Sequence, residues 1–202
     1  MGKSASIDRA VMLILAAGLA TRMGGRVKPD LPWIEGRTLL EHQEFMAQAM
    51  GFPTLAVTRI DEGGLNGRII NPHPERGLAE SLKCGVDAVR QQWGMVAVGV
   101  LLADQPFVAK EDIARVYEAF CQRPSLLHAV RPRYDGVPGH PVFFDATWDE
   151  ALQALTGDVG LGKLWNIRDD AGWVDVGVGE RPDPSFDIDT DTAYRQALRW
   201  VH

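Results

Sequence analysis

A chain of 202 residues has room for one α/β domain of ordinary size, and a single domain over residues 1–202 is the expected organisation. Its 46% hydrophobic and 24% charged content fit a globular protein, and a net charge of −6 excludes the broad basic surface that DNA or RNA binding needs. No apolar run approaches the roughly 18 residues of a membrane span, and the opening "MGKSASIDRA" lacks the apolar core of a signal peptide, so a cytoplasmic location with no membrane partner is expected.

Strand-like and helix-like segments alternate along the chain, which predicts a mostly parallel sheet covered by helices. Residues 11–15 read as the first strand, followed by a glycine-rich loop. Thr38 and Glu41 have capping-box spacing and open a helix that stops at Gly51. Residues 54–58 and 68–71 are short strand candidates. Leu78, Leu82, Val86, Val89 and Trp93 line one face of a helix over residues 78–92, with Gly94 placed to end it. Residues 95–102 form the longest apolar run and predict a central strand buried on both faces. Ile113, Val116, Tyr117 and Phe120 mark the next helix, residues 126–130 another strand, and 142–144 a further one after a proline- and glycine-rich stretch over 131–141. The last helix is predicted over residues 192–201, capped by Thr190 or Asp191. Cys84 and Cys121 fall on predicted helices among apolar neighbours and read as buried, reduced thiols, too few for a disulfide framework.

The loop "LAAGLATRMGGRVKPDLPW" after the first strand fits neither familiar phosphate motif. The dinucleotide fingerprint fails because position 20 is Ala, and no Gly-Lys-Ser/Thr follows Gly18 at P-loop spacing. What remains is Gly18, Gly24 and Gly25 with Arg22 and Lys28. Glycines let successive N–H groups turn toward one anion, Arg22 can fork onto two phosphate oxygens, and Lys28 acts as a point charge. Together they suit a triphosphate, although composition alone leaves a surface turn with solvated cations open.

The acidic residues follow the same logic. Asp104 closes the central strand in "VLLADQP", at the strand end where open α/β sheets gather ligands. Magnesium takes one or two carboxylates together with substrate phosphates, and a turn or capping role is the alternative for a lone Asp. Asp187 and Asp189 alternate in "FDIDTDTAY" and share one face of an extended segment. Gly77 stands at a helix start, whose free N–H groups can meet a base carbonyl or a phosphate. His140 reads equally as a structural hydrogen-bonder or a functional group.

The segment "LAAGLATRMGG…KPDLPWIEGRTLLEH" resembles the signature loop of the MobA-like nucleotidyltransferases, LAAG-x-S-x-R-M-G, a short spacer and Lys. The resemblance departs at Ala20, where Ser is usual. It continues in order through "DQP", "NPHPERGLAESLKCG", "RPRYDGVPGHPVFF", "TGDVGLGKLW" and "FDIDTDTAY", with Gly162 where the family usually has Arg and Lys163 beside it.

This resemblance implies a three-layer α/β/α Rossmann-like nucleotidyltransferase fold with a mostly parallel sheet. It implies catalytic roles for Arg22, Lys28 and Asp104. Nucleotide contacts would come from Leu15, Ala16, Ala17, Gly18, Gly24 and Lys28, and from Asn71, Gly77 and Ser81. Magnesium ligands would come from Asp104, Asp187 and Asp189, and acceptor contacts from Gly139, His140 and Asp158. The "GLAESL" and "GHP" segments together look most like the molybdenum cofactor cytidylyltransferases. That implies CTP and Mg2+ as substrate and cofactor, a molybdopterin acceptor and a molybdenum hydroxylase as partner. Guanylyl or other nucleotidyl transfer to a different acceptor is one alternative reading. A non-catalytic carrier or insertion factor for a molybdenum enzyme is the other.

Overall fold

The computed structural model describes residues 10–18, 27–59 and 68–201. β1 (Ala10–Leu15) is buried along its whole length, as an apolar run flanked on both sides requires. β2 (Thr54–Thr58) and β3 (Arg68–Ile70) continue the sheet on one side of β1 in parallel. β4 (Ala97–Leu102) lies parallel on the other side, pairing Leu15 with Leu102.

Beyond β4 the sheet becomes mixed. β7 (Val142–Phe144) runs antiparallel between β4 and β5 (Ala129–Tyr134), β6 (Val137–Pro138) forms a hairpin with β5, and β8 (Ala171–Val176) pairs parallel with β5 on its other side. Among the described residues the result is an eight-stranded, mostly parallel mixed sheet with six α-helices, an α/β Rossmann-like arrangement.

Alternate residues of the strands feed two cores. On one face Leu13, Val98, Ala129 and Phe144 pack against α2 (Leu78–Trp93), α4 (Asp149–Gln153) and α5 (Leu161–Trp165). On the other, Met12, Ile14, Leu101 and Phe143 meet α1 (Leu39–Ala49) and α3 (Lys110–Cys121). A third cluster seats α6 (Asp191–Val201) through Ala197 on Leu31, Trp33, Leu39 and Ile188. α1 begins with the capping box its spacing predicts: the Glu41 N–H donates to Thr38 Oγ1 and the Thr38 N–H to Glu41 Oε2. Thr190, rather than Asp191, caps α6 by accepting from the Ala193 N–H. No described helix is long and apolar enough to cross a membrane.

Four expectations shift. The central strand starts at Ala97, and Met95 is 70% exposed, so the apolar run outlasts the strand. The strand expected over 126–130 instead runs through Arg131 to Tyr134, leaving Leu126 81% exposed. Pro132, which made that stretch look like a loop, sits within β5, whose Val130 pairs with Phe143 on one side and whose Pro132 pairs with Val174 on the other. Cys121 lies exposed near the end of α3 and Cys84 is only half-buried, although both are free thiols as expected.

Candidate active site

Because β1 and β4 run parallel and in register, the chain leaves both at one edge of the sheet. The Ala103 N–H donates to the Leu15 carbonyl and the Ala16 N–H to the Val57 carbonyl, so residues 16–18 and 103–104 emerge side by side. Asp104 thus stands at the carboxyl edge, where ligands gather in open α/β sheets.

Lys28 begins a short 3-10 turn (Lys28–Asp30), and its Nζ donates to Asp104 Oδ2 at 2.8 Å and Asp189 Oδ1 at 2.7 Å. Burial opposes the ammonium charge, but the two carboxylates outweigh it and hold the Lys28 pKa above its ordinary value. The C-terminal segment is pinned here by the Ile188 N–H, which donates to the Asp104 carbonyl, and by the fully buried Ile188 side chain. Asp189 therefore reaches Lys28 from one side while Asp187 accepts from Gln105 Nε2 at 2.8 Å on the other. Partial burial of the Asp187 carboxyl, with Asp104 and Asp189 nearby, raises its pKa despite that hydrogen bond.

A cleft of about 600 Å³ opens beside this cluster. Leu15, Ala17, Gly18, Lys28, Asp104 and Asp189 form one wall. The opposite wall is the approach to α2, with Gly77 and Ser81, and the 157–158 loop. Gly77 has φ +87°, and a Cβ there would fall 2.6 Å from the Gly157 carbonyl group, so only glycine lets the two backbones meet. The first helical N–H groups are already occupied. Leu78 donates to Asp158 Oδ1 at 3.3 Å and Ala79 to the Gly157 carbonyl at 3.1 Å. Asp158, expected on the acceptor side, stands at the start of α2 and lines this same cleft. Asn71 is fully buried behind the wall, donating to Ser81 Oγ at 3.0 Å and accepting from the His73 N–H at 2.8 Å. Its role in this structure is to shape the wall and aim the Ser81 hydroxyl.

His140 and Gly139 lie outside the cleft lining. His140 Nδ1 is 2.9 Å from Gln105 Oε1. Since the Asp187 carboxylate accepts from Gln105 Nε2, the amide oxygen faces His140, and Nδ1 must carry the proton. Burial of the ring, helped by the Arg131 charge, pushes the His140 pKa down to about 3 and keeps the imidazole neutral. Gln105 is itself held by Gln43 Nε2, which donates to its carbonyl. Arg22 and Gly24 lie outside the described residues. Ala16 is buried at the strand end, beside the cleft rather than in its lining.

Sequence reasoning passed over Gln105, although "DQP" contains it, because an amide alone carries no charge signal. It also passed over Arg131, read there as part of a loop. Both act through long-range contacts that no spacing encodes.

The donor chemistry suits a hard divalent cation. Asp104 and Asp189 already converge on one positive centre, and Asp187 waits behind Gln105. Among the described residues no three His, Cys, Asp or Glu groups close a metal site alone. Two carboxylates with phosphate oxygens completing the shell is the set magnesium ordinarily takes.

No curated protein matches the sequence. Among solved structures, Rv0371c from Mycobacterium tuberculosis H37Rv is 25% identical, with 95% of this chain and 97% of that chain aligned at a TM-score of 0.76. A structure of Rv0371c in complex with manganese aligns at 24% identity, covering 95% and 98% of the two chains, with a TM-score of 0.71. Molybdopterin-guanine dinucleotide biosynthesis protein A from Archaeoglobus fulgidus is 18% identical over 93% and 96% of the chains, with a TM-score of 0.67, and shares the fold. The family model for the MobA-like NTP transferase domain matches residues 12–171, and the chain belongs to that family of nucleotidyltransferases.

Proposed function

We propose that the protein transfers CMP from CTP to the phosphate of a molybdopterin-type acceptor, releasing pyrophosphate. The observation that carries this reading is Lys28 bridging Asp104 and Asp189 at the mouth of a nucleotide-sized cleft. An oxygen of the acceptor phosphate attacks the α-phosphorus of the nucleotide, and the bond from that phosphorus to the bridging oxygen of the leaving pyrophosphate breaks. No general base is needed, since a phosphate monoester is largely deprotonated at pH 7. The depressed pKa of His140, about 3, fits this, because so weak a base takes up little of a proton at pH 7.

Asp104, with Asp189 and Asp187, would hold Mg2+. When bound, the cation supplies Lewis-acid neutralisation of the triphosphate oxygens. Lys28 supplies a fixed positive charge to the phosphates, with Arg22 as its partner from the glycine loop. The backbone at residues 15–18 and the wall at Gly77 and Ser81 orient the nucleotide, which leaves positioning as the remaining catalytic contribution. The manganese bound by Rv0371c supports a divalent cation. The "GLAESL" and "GHP" segments support cytidylyl transfer, whereas the A. fulgidus relative's guanine dinucleotide product favours a guanylyl reading.

Pyrophosphate release measured with CTP, GTP, ATP and UTP, each with and without molybdopterin and Mg2+, tests the proposal. Release that requires CTP, acceptor and divalent cation together is expected. Release with GTP instead replaces the base assignment, and tight cofactor binding without any release would identify a carrier for a molybdenum enzyme.

A further inference from the structure

Among the described residues, Arg90 pairs with Asp149, Arg123 with Asp145 and Arg181 with Asp112. Arg131 does not. It projects from β5 at only 8% exposure, and among the described residues no carboxylate forms an ion pair with it. Its Nη2 donates to the Gly139 carbonyl at 3.1 Å, while its Nε is buried without an acceptor. The indole rings of Trp165 and Trp173 lie 5.4 and 5.5 Å from the guanidinium carbon. Its Nη1 has no hydrogen bond and stands 3.5 Å from where a Cβ on residue 162 would sit. Because residue 162 is glycine, nothing from α5 fills that approach.

Burying a charge is costly unless a partner offsets it, and the two ring faces return only part of that cost. Burial lowers the Arg131 pKa to about 10, so the group stays a cation at neutral pH. A protonated, sparsely paired guanidinium with Nε and Nη1 unspent is built for an anion that arrives from outside. Its surroundings identify which. Arg131 holds the carbonyl of Gly139, the next residue is His140, and His140 reaches Asp187 through Gln105. It therefore connects to the Gln105 and Asp187 side of the carboxylate cluster, and neither it nor Gly139, His140 and Gln105 lines the cleft. His140 itself, neutral and with its Nδ1 proton given to Gln105, has no charge to offer an anion.

We propose that Arg131 anchors an anionic group of the acceptor, of phosphate type, approaching over Gly162. The assignment to the acceptor rests on the transfer reading above, but the anion site is scored by equilibrium binding, so the two can fail separately.

The test is a titration of the intact protein with inorganic phosphate, followed by the 15N-indole signals of the tryptophans. The Trp165 and Trp173 signals, assigned by single Trp→Phe variants, should move saturably, and their movement should persist when a nucleoside triphosphate and Mg2+ are also present. Arg131→Met should weaken phosphate binding read at these signals by tenfold or more, with partial recovery in Arg131→Lys. Static Trp165 and Trp173 signals in the wild-type protein would overturn the site even if the methionine variant failed to fold. Unchanged affinity in a folded Arg131→Met would do the same. Loss of the shifts on adding nucleotide would give the anion to the nucleotide and overturn the acceptor assignment.

Discussion

Asp104 and Lys28 carry opposite charges in one contact, and their replacement should have different signatures. Asp104→Asn removes a carboxylate but leaves Lys28 paired with Asp189, so the fold should survive. Losing a group that holds charge in place at the reacting centre costs about 100-fold or more in rate, which pyrophosphate release beside an unchanged circular dichroism spectrum would reveal. A variant with normal turnover would remove Asp104 from the chemistry. Lys28→Ala deletes a charge-assisted contact worth about 1.5–3 kcal/mol, so nucleotide affinity should drop by about tenfold to 100-fold in calorimetric titration. The same change leaves Asp104, Asp187 and Asp189 crowded without their cation. The thermal midpoint of Lys28→Ala should consequently respond to Mg2+ more strongly than that of the wild type, and an equal response would argue that the carboxylates do not share one cation site.

The start of α2 shows what an element contributes and how much of it could be read in advance. Its apolar stripe and Gly94 terminator gave the helix nearly to the residue, and the capping box did the same for α1, because these signals are local. What residues 77–79 touch was not readable, since Gly157 and Asp158 lie some 80 positions away. The same holds for β5: local composition at residues 131–138 says loop, but pairing with β8 and within the β5–β6 hairpin decides otherwise. In the candidate site, Lys28, Asp104 and Asp189 were legible from strand-end position and resemblance, whereas the burial of Asn71 and the contact of Asp158 with the helix start needed tertiary structure. Gly77→Ala tests that contact. A Cβ at positive φ, 2.6 Å from a carbonyl group, should destabilise the fold by about 1–3 kcal/mol. At roughly 2–4 °C per kcal/mol for a chain of this size, differential scanning calorimetry would resolve the change. Nucleotide affinity should fall with it, because the clash moves the cleft wall, and an unaltered midpoint would mean the two backbones do not meet.

At the scale of the molecule, the reversal of strand direction at β7 joins the two halves of the site. β7 runs antiparallel to β4, so its beginning, preceded by His140, lies at the same edge as the end of β4 and Asp104. The chain His140, Gln105, Asp187 then ties that edge to the C-terminal segment that α6 holds in place. This tie has a pH signature whose sign follows from the folded and unfolded affinities for protons. His140 titrates near 6.5 when unfolded and at about 3 when folded, so acid favours the unfolded chain. Its contribution to stability is complete above pH 6.5 and declines as pH falls toward 3. Asp187, whose pKa is raised, works in the opposite sense, since its contribution declines as pH rises through its folded value. Between pH 7 and 5 the histidine effect acts well above the range where the depressed carboxyls of Asp145 and Asp170 begin to matter. His42 is also depressed by burial, so the wild-type curve alone cannot isolate His140. The difference between wild type and His140→Gln can. Glutamine can still donate to Gln105 Oε1 but takes up no proton, so the variant's unfolding midpoint should decline less steeply from pH 7 to 5 than the wild type's, by the equivalent of a single protonation. Parallel curves would mean that His140 is not held neutral in the fold.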